Sequence, residues 1–278
     1  MSLSSEPVKI NPPARRNREF FWDERKVVWY QRALARSDYA DAVLGAVDVL
    51  LEECEDALDI GAGCGALAIP LARRMERVTA LEPAPAMAQS LRREARRWGL
   101  GNITVIEGAW GDVALSPHDL VLCAHVGGLL NGDSPFLTQV LALARRAVVL
   151  VREADPDRDK FFFKELYPKL LGRQYRACCD YAETVTALER LGVSPSVALV
   201  DYRSDQPFDD LEEACDFWME YLGLVGGPVR TFLREFLSAR LLRDGGGLIA
   251  PYPKRAAVIW WRVSPSASTE DDRRAAID

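Results

Sequence analysis

The sequence predicts an α/β fold in which a mostly parallel sheet carries helices on both faces. Between residues 57 and 151, short apolar runs typical of strands alternate with helical patterns, and this alternation indicates repeated strand–helix–strand units. The first of these runs ends in a glycine-rich turn, ALDIGAGCG over 57–65, which an apolar helical pattern follows. A strand, a tight glycine turn and a helix start form a common ligand-binding unit.

Composition limits the class of protein. The 278 residues are 49% hydrophobic and 27% charged, which suits one large globular domain or a domain with a cap. The net charge of −6 argues against a nucleic-acid partner, and no apolar run reaches the length of a membrane helix. No secretory signal is visible, and six cysteines without ligand-like spacing favour reduced thiols. We therefore expect a cytoplasmic protein without a metal site.

The segment before the glycine turn is rich in aromatic residues. We expect a mobile arm over 1–18 and a helical lid over 19–56, with one helix from the N-cap Asp23 to about 35 and another over 38–53. Packing onto the sheet is the simpler role for the aromatic side chains. The alternative that we predict is closure over the ligand, with substrate contacts from Trp22, Trp29 and Tyr30.

The segment from 57 to 151 supplies most of the predicted sheet. The expected strands are 57–60, 78–81, 102–106, 119–124 and 147–151. The expected helices are 65–76, 85–98 and 134–145. Pro70 lies inside the first of these helices and should kink it unless its effect is confined to the first turns, whereas Pro85 suits a helix start.

The alternation changes after residue 151. Helical patterns cover about 161–171, 181–191, 209–222 and 228–243, and strand-like runs cover 196–203 and 256–263. The gap between 151 and 196 exceeds what a single crossover helix needs. We therefore predict helical cap insertions at about 157–192 and 205–245, which form the substrate wall, and a disordered tail over 264–278.

The glycine turn indicates a ligand that contains a nucleoside. Glycines let a ligand approach the backbone closely, and the helix start presents free N–H groups toward it. Glu82 ends the second strand-like run, 21 positions after Gly61, where a carboxylate suits ribose hydroxyls. The glycine spacing alone fits both dinucleotide binding and other nucleoside cofactors.

Four motifs together resemble the class I S-adenosylmethionine-dependent methyltransferases. In chain order they are LDIGAGCG, TALEP, NITVIEGAW and HDLVLCAHV. The resemblance implies a Rossmann-like seven-stranded sheet, mostly parallel with a late antiparallel strand, and a methyltransferase domain over 57–263. It also implies S-adenosylmethionine as cofactor and S-adenosylhomocysteine as product. The chain is similar to bacterial methyltransferases of this kind that carry a helical C-terminal cap.

The resemblance assigns roles to particular residues. The turn glycines would wrap the methionine and ribose, Asp59 would orient the methionine ammonium, and Glu82 would bind the ribose. Many family members have Asp where this chain has Ala109, so the adenine contact would come from the Ala109 backbone and from stacking on Trp110. The implied cofactor-binding set is Asp59, Gly61, Ala62, Gly63, Gly65, Glu82, Pro83, Met87, Gly108, Ala109, Trp110, Ala124 and His125.

His125 is the predicted catalytic base. It is one of two histidines and follows the fourth strand, whose end would face the methyl group. A purely structural histidine is the alternative. That strand lacks the Asp/Asn-Pro-Pro-Tyr/Phe signature of enzymes that methylate base amino groups, which favours a small-molecule acceptor over DNA. A NAD-dependent oxidoreductase and a binding-only nucleoside sensor stay open, as do the acceptor's identity and the oligomeric state.

Overall fold

The computed structural model describes residues 21–132, 134–177 and 181–263, and these ranges contain two β-sheets and ten α-helices. The strands are β1 Asp56–Ile60, β2 Arg77–Glu82, β3 Ile103–Glu107, β4 His118–Ala124, β5 Ala144–Glu153, β6 Ser196–Arg203, β7 Gln206–Phe208, β8 Leu242–Asp244, β9 Gly247–Ala250 and β10 Pro253–Arg262. The helices are α1 Glu24–Leu34, α2 Tyr39–Gly45, α3 Asp48–Leu51, α4 Ala68–Ala72, α5 Pro85–Arg97, α6 Phe136–Gln139, α7 Phe163–Leu166, α8 Tyr181–Arg190, α9 Leu211–Leu222 and α10 Gly227–Ser238. The expected arm at 1–18 and tail at 264–278 lie outside the described residues.

The main sheet has seven strands in the order β3-β2-β1-β4-β5-β10-β6. Its members are parallel except β10, which pairs antiparallel with both β5 and β6. The predicted mostly parallel sheet with a late antiparallel strand is thereby confirmed. Every residue of β1 is buried because helices cover both faces. The strand order reverses between β1 and β4, and the carboxyl ends of strands at such a point commonly bind ligands.

Two hydrophobic clusters cover the two faces of this sheet. Residues of α2, α3, α4 and α5 pack on one face, whereas α6 and α8 pack on the other. Pro70 is the third residue of α4, in the first turn, where its missing N–H removes no intrahelical bond. Within the described ranges, no helix is both long and apolar enough to cross a bilayer.

The helical additions form a separate aromatic core. This cap core joins α7, α9 and α10 to the three-stranded sheet β7-β9-β8, and Trp29 of α1 lies within it. Helix α8 is not part of it: Leu188 packs against the main sheet, and the Thr184 hydroxyl donates to the Leu130 carbonyl at 2.8 Å. The segment predicted as one insertion at about 157–192 is therefore divided between the cap core and the main sheet.

Several helices predicted from sequence are shorter or broken. The expected helix over 134–145 is divided into α6 and a 3₁₀ helix over Val140–Leu143, and β5 begins at Ala144, where it pairs with β4. The expected helix over 161–171 divides into 3₁₀, α and π segments, and Phe161 and Phe162 adopt left-handed backbone angles. The carbonyl of Phe161 accepts from the buried Trp218 indole N–H at 2.9 Å, so tertiary contacts override helix propensity here.

Candidate functional site

The glycine turn after β1 is held by the end of β2. The N–H groups of Gly61 and Ala62 both donate to the Leu81 carbonyl, at 2.8 and 3.1 Å. Gly61, Gly63 and Gly65 have φ angles of +75°, +57° and +94°, which side chains disfavour. A Cβ on Gly61 would lie 2.4 Å from Val126 Cγ2, whereas a Cβ on Gly63 would meet nothing within 4 Å. Gly61 is therefore required for packing, and Gly63 faces open space that a ligand can use.

Gly61→Ala should destabilise the fold by about 2 to 5 kcal/mol. Left-handed backbone costs a residue with a side chain roughly 1 to 2 kcal/mol, and overpacking adds about 1 to 3. Gly99→Ala is the matched control, since Gly99 has φ +65° and a Cβ at this position would meet nothing within 4 Å. Urea unfolding of both variants measures the difference. Equal losses of stability would contradict the packing argument.

Glu82 connects the glycine turn to the next helix. Its buried carboxylate accepts from the N–H of Gly63 and from that of Ala84, both at 2.8 Å. Burial raises the pKa of Glu82, while these two backbone bonds oppose the rise. Each carboxylate oxygen can accept a further hydrogen bond, so both could still bind ribose hydroxyls.

Asp59 is a second buried carboxylate, one residue from the end of β1. Burial, reinforced by the negative charge of Glu82, raises the pKa of Asp59 to about 7, and the Ala68 N–H partly opposes this shift. Two buried carboxylates at one turn favour a ligand that carries positive charge. The ammonium and sulfonium of S-adenosylmethionine, together with its ribose hydroxyls, fit this donor and acceptor set.

Cofactor affinity should therefore rise between pH 6 and pH 8. Below about pH 7 the bound cation has to displace a proton from Asp59, so affinity falls by up to roughly tenfold per pH unit. The raised pKa of Asp59 also contributes to the folding stability of the protein without cofactor. This contribution is fully present below the pKa of Asp59 in the unfolded chain, near 4, and is lost as the pH rises through about 7. Calorimetry at both pH values tests this, with Asp59→Asn as the control that should lack the pH dependence. An affinity independent of pH in the native chain would contradict it.

The predicted adenine side lies at the end of β3. The Gly108 N–H donates to the Glu82 carbonyl at 3.1 Å, and this bond joins the loop that begins with Gly108, Ala109 and Trp110 to the end of β2. Trp110 packs edge-on against Phe136, with ring centroids 4.8 Å apart, and its indole N–H donates to the side chain of Gln139 at 3.0 Å. Stacking of Trp110 on adenine stays a prediction.

The three aromatic residues of the predicted lid divide into two groups. Trp22 and Tyr30 pack together with Met87 and Cys64 beside the glycine turn, and burial raises the pKa of the Tyr30 hydroxyl, to which Asp59 also contributes. Trp29 belongs to the cap core instead. Its ring packs edge-on against Phe217, and its indole N–H donates to Glu213 at 3.0 Å. These contacts give Trp29 a packing role and do not support its predicted contact with substrate.

His125 directly follows β4 with a left-handed backbone, φ +57°. Its imidazole Nε2 lies 3.5 Å from the Tyr202 hydroxyl, and its Nδ1 lies 3.7 Å from a carboxylate oxygen of Glu153. Burial, followed by the positive charge of Lys254, lowers the pKa of His125 to about 4. The side chain still exposes 25% of its surface, which moderates the burial effect. The direction of the shift keeps the imidazole neutral at pH 7.

An ionic cluster beside His125 was not predicted from sequence. Arg158 and Lys254 both pair with Glu153, and the Lys254 ammonium lies 3.1 Å from its Oε1. Glu153 is the last residue of β5, and Lys254 lies near the start of the antiparallel β10. The sequence shows a charged residue at the end of a strand-like run, but it does not show the strand pairing that brings Glu153 and Lys254 together.

Comparisons with known proteins find similarity to methyltransferases. A family model of methyltransferase domains matches residues 57–148. An uncharacterised protein of Haemophilus influenzae is 24% identical over 249 residues, which cover 87% of this chain and 88% of that protein. A ubiquinone biosynthesis O-methyltransferase of Methylocella silvestris is 44% identical over 72 residues, 25% of this chain and 27% of that enzyme. A solved S-adenosylmethionine-dependent methyltransferase of Aquifex aeolicus aligns with a TM-score of 0.47 and 14% identity, covering 87% of this chain and all of that one (100%).

Proposed function

We propose that this chain, whose residues 57–148 are a class I S-adenosylmethionine-dependent methyltransferase domain, transfers the cofactor's methyl group to a small-molecule acceptor by in-line displacement. When bound, S-adenosylmethionine supplies a methyl group on a positively charged sulfur. The observation that carries the proposal is the glycine turn, which Glu82 closes beside the buried carboxylate of Asp59. The net charge of −6 supports an acceptor other than a nucleic acid.

The residues of the glycine turn would bind and orient the cofactor. Glu82 would accept hydrogen bonds from the ribose hydroxyls, and Asp59 would pair with the methionine ammonium. The absence of a side chain at Gly63 leaves space for the ligand against the backbone. Trp22 and Tyr30, which pack beside this turn, would exclude water from it. Positioning and water exclusion supply much of the rate of such a displacement.

His125 would remove a proton from the acceptor. The lowered pKa keeps the imidazole of His125 neutral at pH 7, the form that can accept a proton, and it also makes this imidazole a weaker base than a free histidine. Its place at the carboxyl end of β4, next to the glycine turn, suits a base that acts on an atom approaching the methyl group. A base is needed only for acceptors that carry a proton at neutral pH, as hydroxyl and ammonium groups do.

A reducing compartment, and thus the cytoplasm, suits the proposed enzyme. Cys54, Cys64, Cys123 and Cys215 are free and buried, and Cys178 and Cys179 lie outside the described residues. Buried free thiols persist where disulfides do not form.

Methyl transfer can be tested without knowing the acceptor. The purified chain would be incubated with S-adenosylmethionine labelled in its methyl group and with a bacterial small-molecule extract, and products would be analysed by mass spectrometry. We expect the label on a small molecule, with matching release of S-adenosylhomocysteine. Cofactor binding without any labelled product would favour a sensor. Oxidation of NADH by the chain in the presence of the same extract would favour an oxidoreductase.

A further inference from the structure

Among the residues that the structure describes, positive charge exceeds negative charge in the cluster beside His125. Arg158 and Lys254 share the single carboxylate of Glu153, and the nearby Lys160 ammonium bonds to the phenol of Tyr221. Buried charges are costly unless they are compensated, so a second anion at this place would stabilise the cluster.

The cluster also contains polar atoms without partners. Among the described residues, the Arg158 Nε, the His125 Nδ1 and the Tyr39 hydroxyl are buried and lack a hydrogen-bond partner. Arg158 is the most telling of them because only 7% of its side-chain surface is exposed. A buried guanidinium N–H without an acceptor is rare in folded proteins, and a ligand that supplies an acceptor oxygen would satisfy it.

We propose that the methyl acceptor carries an anionic group, a carboxylate or a phosphate, which binds to Arg158 and Lys254 and places the reacting atom beside His125. This rests on the proposed function and names the substrate class of the same site. A guanidinium can give an anion two parallel charge-assisted hydrogen bonds, and the ammonium adds a third. Glu153 then holds both cations in place instead of neutralising them fully.

A surface cavity adjoins the cluster at Lys254. It has a volume of about 480 Å³, within the range for small ligands, and Lys254 and Tyr202 form part of its wall. The wall also contains Asp38, Asp155 and Asp201. All three carboxylates are already engaged, with the Arg203 N–H, the Asp157 N–H and the Arg255 guanidinium respectively.

Aromatic rings lie close to Lys254, and a phenol contacts Arg158. The Lys254 ammonium lies 5.2 Å from the ring centroid of Tyr202 and 5.5 Å from that of Tyr252. Phe161 packs against Tyr252 with centroids 4.6 Å apart, and the Tyr175 hydroxyl bonds to Arg158. Flat rings and cations together favour an aromatic anion over an aliphatic one.

The two histidines allow a direct test by NMR. His125 faces the charged side chains of Lys254, Glu153, Arg158 and Arg152 and the phenols of Tyr39 and Tyr202. An anion bound there offsets the positive charges, so benzoate or phenyl phosphate should raise the pKa of His125 in the protein saturated with S-adenosylhomocysteine. Neutral benzamide should not. His118 is the internal control, because it lies at the opposite end of β4 and bonds to Thr79 and Ser116.

Variants identify the groups that bind the anion. Arg158→Gln and Lys254→Gln should each weaken benzoate binding by about tenfold or more, the scale for loss of a charged partner. Arg262→Gln should leave it unchanged, since Arg262 lies at the other end of β10 and pairs with Glu53. Acetate binding, compared with benzoate binding, measures how much the aromatic ring contributes to affinity. The comparison of benzoate with phenyl phosphate distinguishes a carboxylate acceptor from a phosphorylated one.

Two results would overturn the proposal. One is an equal response of His125 to benzamide and to both anions in the native chain, which needs no variant to fold. The other is unchanged benzoate binding in folded Arg158→Gln and Lys254→Gln. The affinity for S-adenosylhomocysteine is measured in the same samples. If the native chain does not bind S-adenosylhomocysteine, the methyltransferase proposal fails. If it binds S-adenosylhomocysteine but neither anion, only the proposal of an anionic acceptor fails.

Discussion

His125→Asn should lower kcat by about 10²- to 10⁴-fold, the usual contribution of a general base. The imidazole of His125 is neutral at pH 7 and can take a proton, whereas an asparagine amide cannot. Asparagine is the suitable replacement because, like histidine, it tolerates the left-handed backbone at φ +57°. Steady-state kinetics with the acceptor found by isotope transfer measures the loss, and cofactor affinity should change by no more than a few-fold.

His118→Asn is the control for this variant. His118 is the first residue of β4, at the end of the strand away from the glycine turn, and its ring bonds to Thr79 at 2.8 Å. Its replacement should leave kcat within about twofold of the native value, since no step of the reaction involves it. Full activity in folded His125→Asn would show that the acceptor reacts without losing a proton to this side chain.

Glu82→Ala should weaken S-adenosylmethionine binding by about 1.5 to 3 kcal/mol, or roughly 10- to 160-fold. The variant loses the carboxylate that we propose as the acceptor for the ribose hydroxyls. It also releases the N–H groups of Gly63 and Ala84, both of which donate to the Glu82 carboxylate. Both the lost acceptor and the released N–H groups should weaken binding, since the release leaves the turn less well ordered for the cofactor. Calorimetric titration of the native and variant proteins measures the difference.

Glu107→Ala is a matched control for Glu82→Ala. Glu107 lies opposite Glu82 in the register of β2 and β3, but its side chain is exposed and pairs with Arg92. Its loss should change cofactor affinity by less than about 1 kcal/mol, as for most surface ion pairs. If Glu82→Ala folds and binds the cofactor as tightly as the native chain, Glu82 has no part in the ribose site.

The part of the site that could be predicted is encoded locally. Gly61, Gly63 and Gly65 are needed where the backbone adopts positive φ, so the glycine spacing identifies the turn directly. Glu82 follows from the length of one strand–helix–strand unit, which places the end of β2 beside the end of β1. These features depend on near neighbours in the chain, and a sequence pattern can therefore describe them.

The ionic cluster depends on contacts between distant segments. Glu153 and Lys254 meet because β10 inserts antiparallel between β5 and β6, which pairs Glu153 with Ala256. The resemblance indicated a late antiparallel strand, but not which charged residues that strand would bring to the site. Trp29 is a related case: helical spacing alone does not show that α1 turns this ring toward Phe217 of the cap core.

Two other differences from the sequence predictions lie in the cap core, one at the end of α10 and one at Phe161. The expected helix over 228–243 ends at Ser238, and the hairpin of β8 and β9 follows it. The glycines at 245–247 after Asp244 are a typical hairpin turn and could have predicted this end. At Phe161 no local signal was available, because the left-handed backbone is tied to the distant Trp218 through a buried hydrogen bond.

The most direct test of the central claim is calorimetric titration of the full chain with S-adenosylmethionine, S-adenosylhomocysteine and NAD in turn. We expect the first two to bind at one site with dissociation constants on the order of micromolar, about 8 kcal/mol of binding free energy. NAD should give no binding heat, and Glu82→Ala should weaken the first two ligands together. Binding of NAD with no heat from either S-adenosyl compound would contradict the assignment of the glycine turn and Glu82 to a methyl-transfer cofactor.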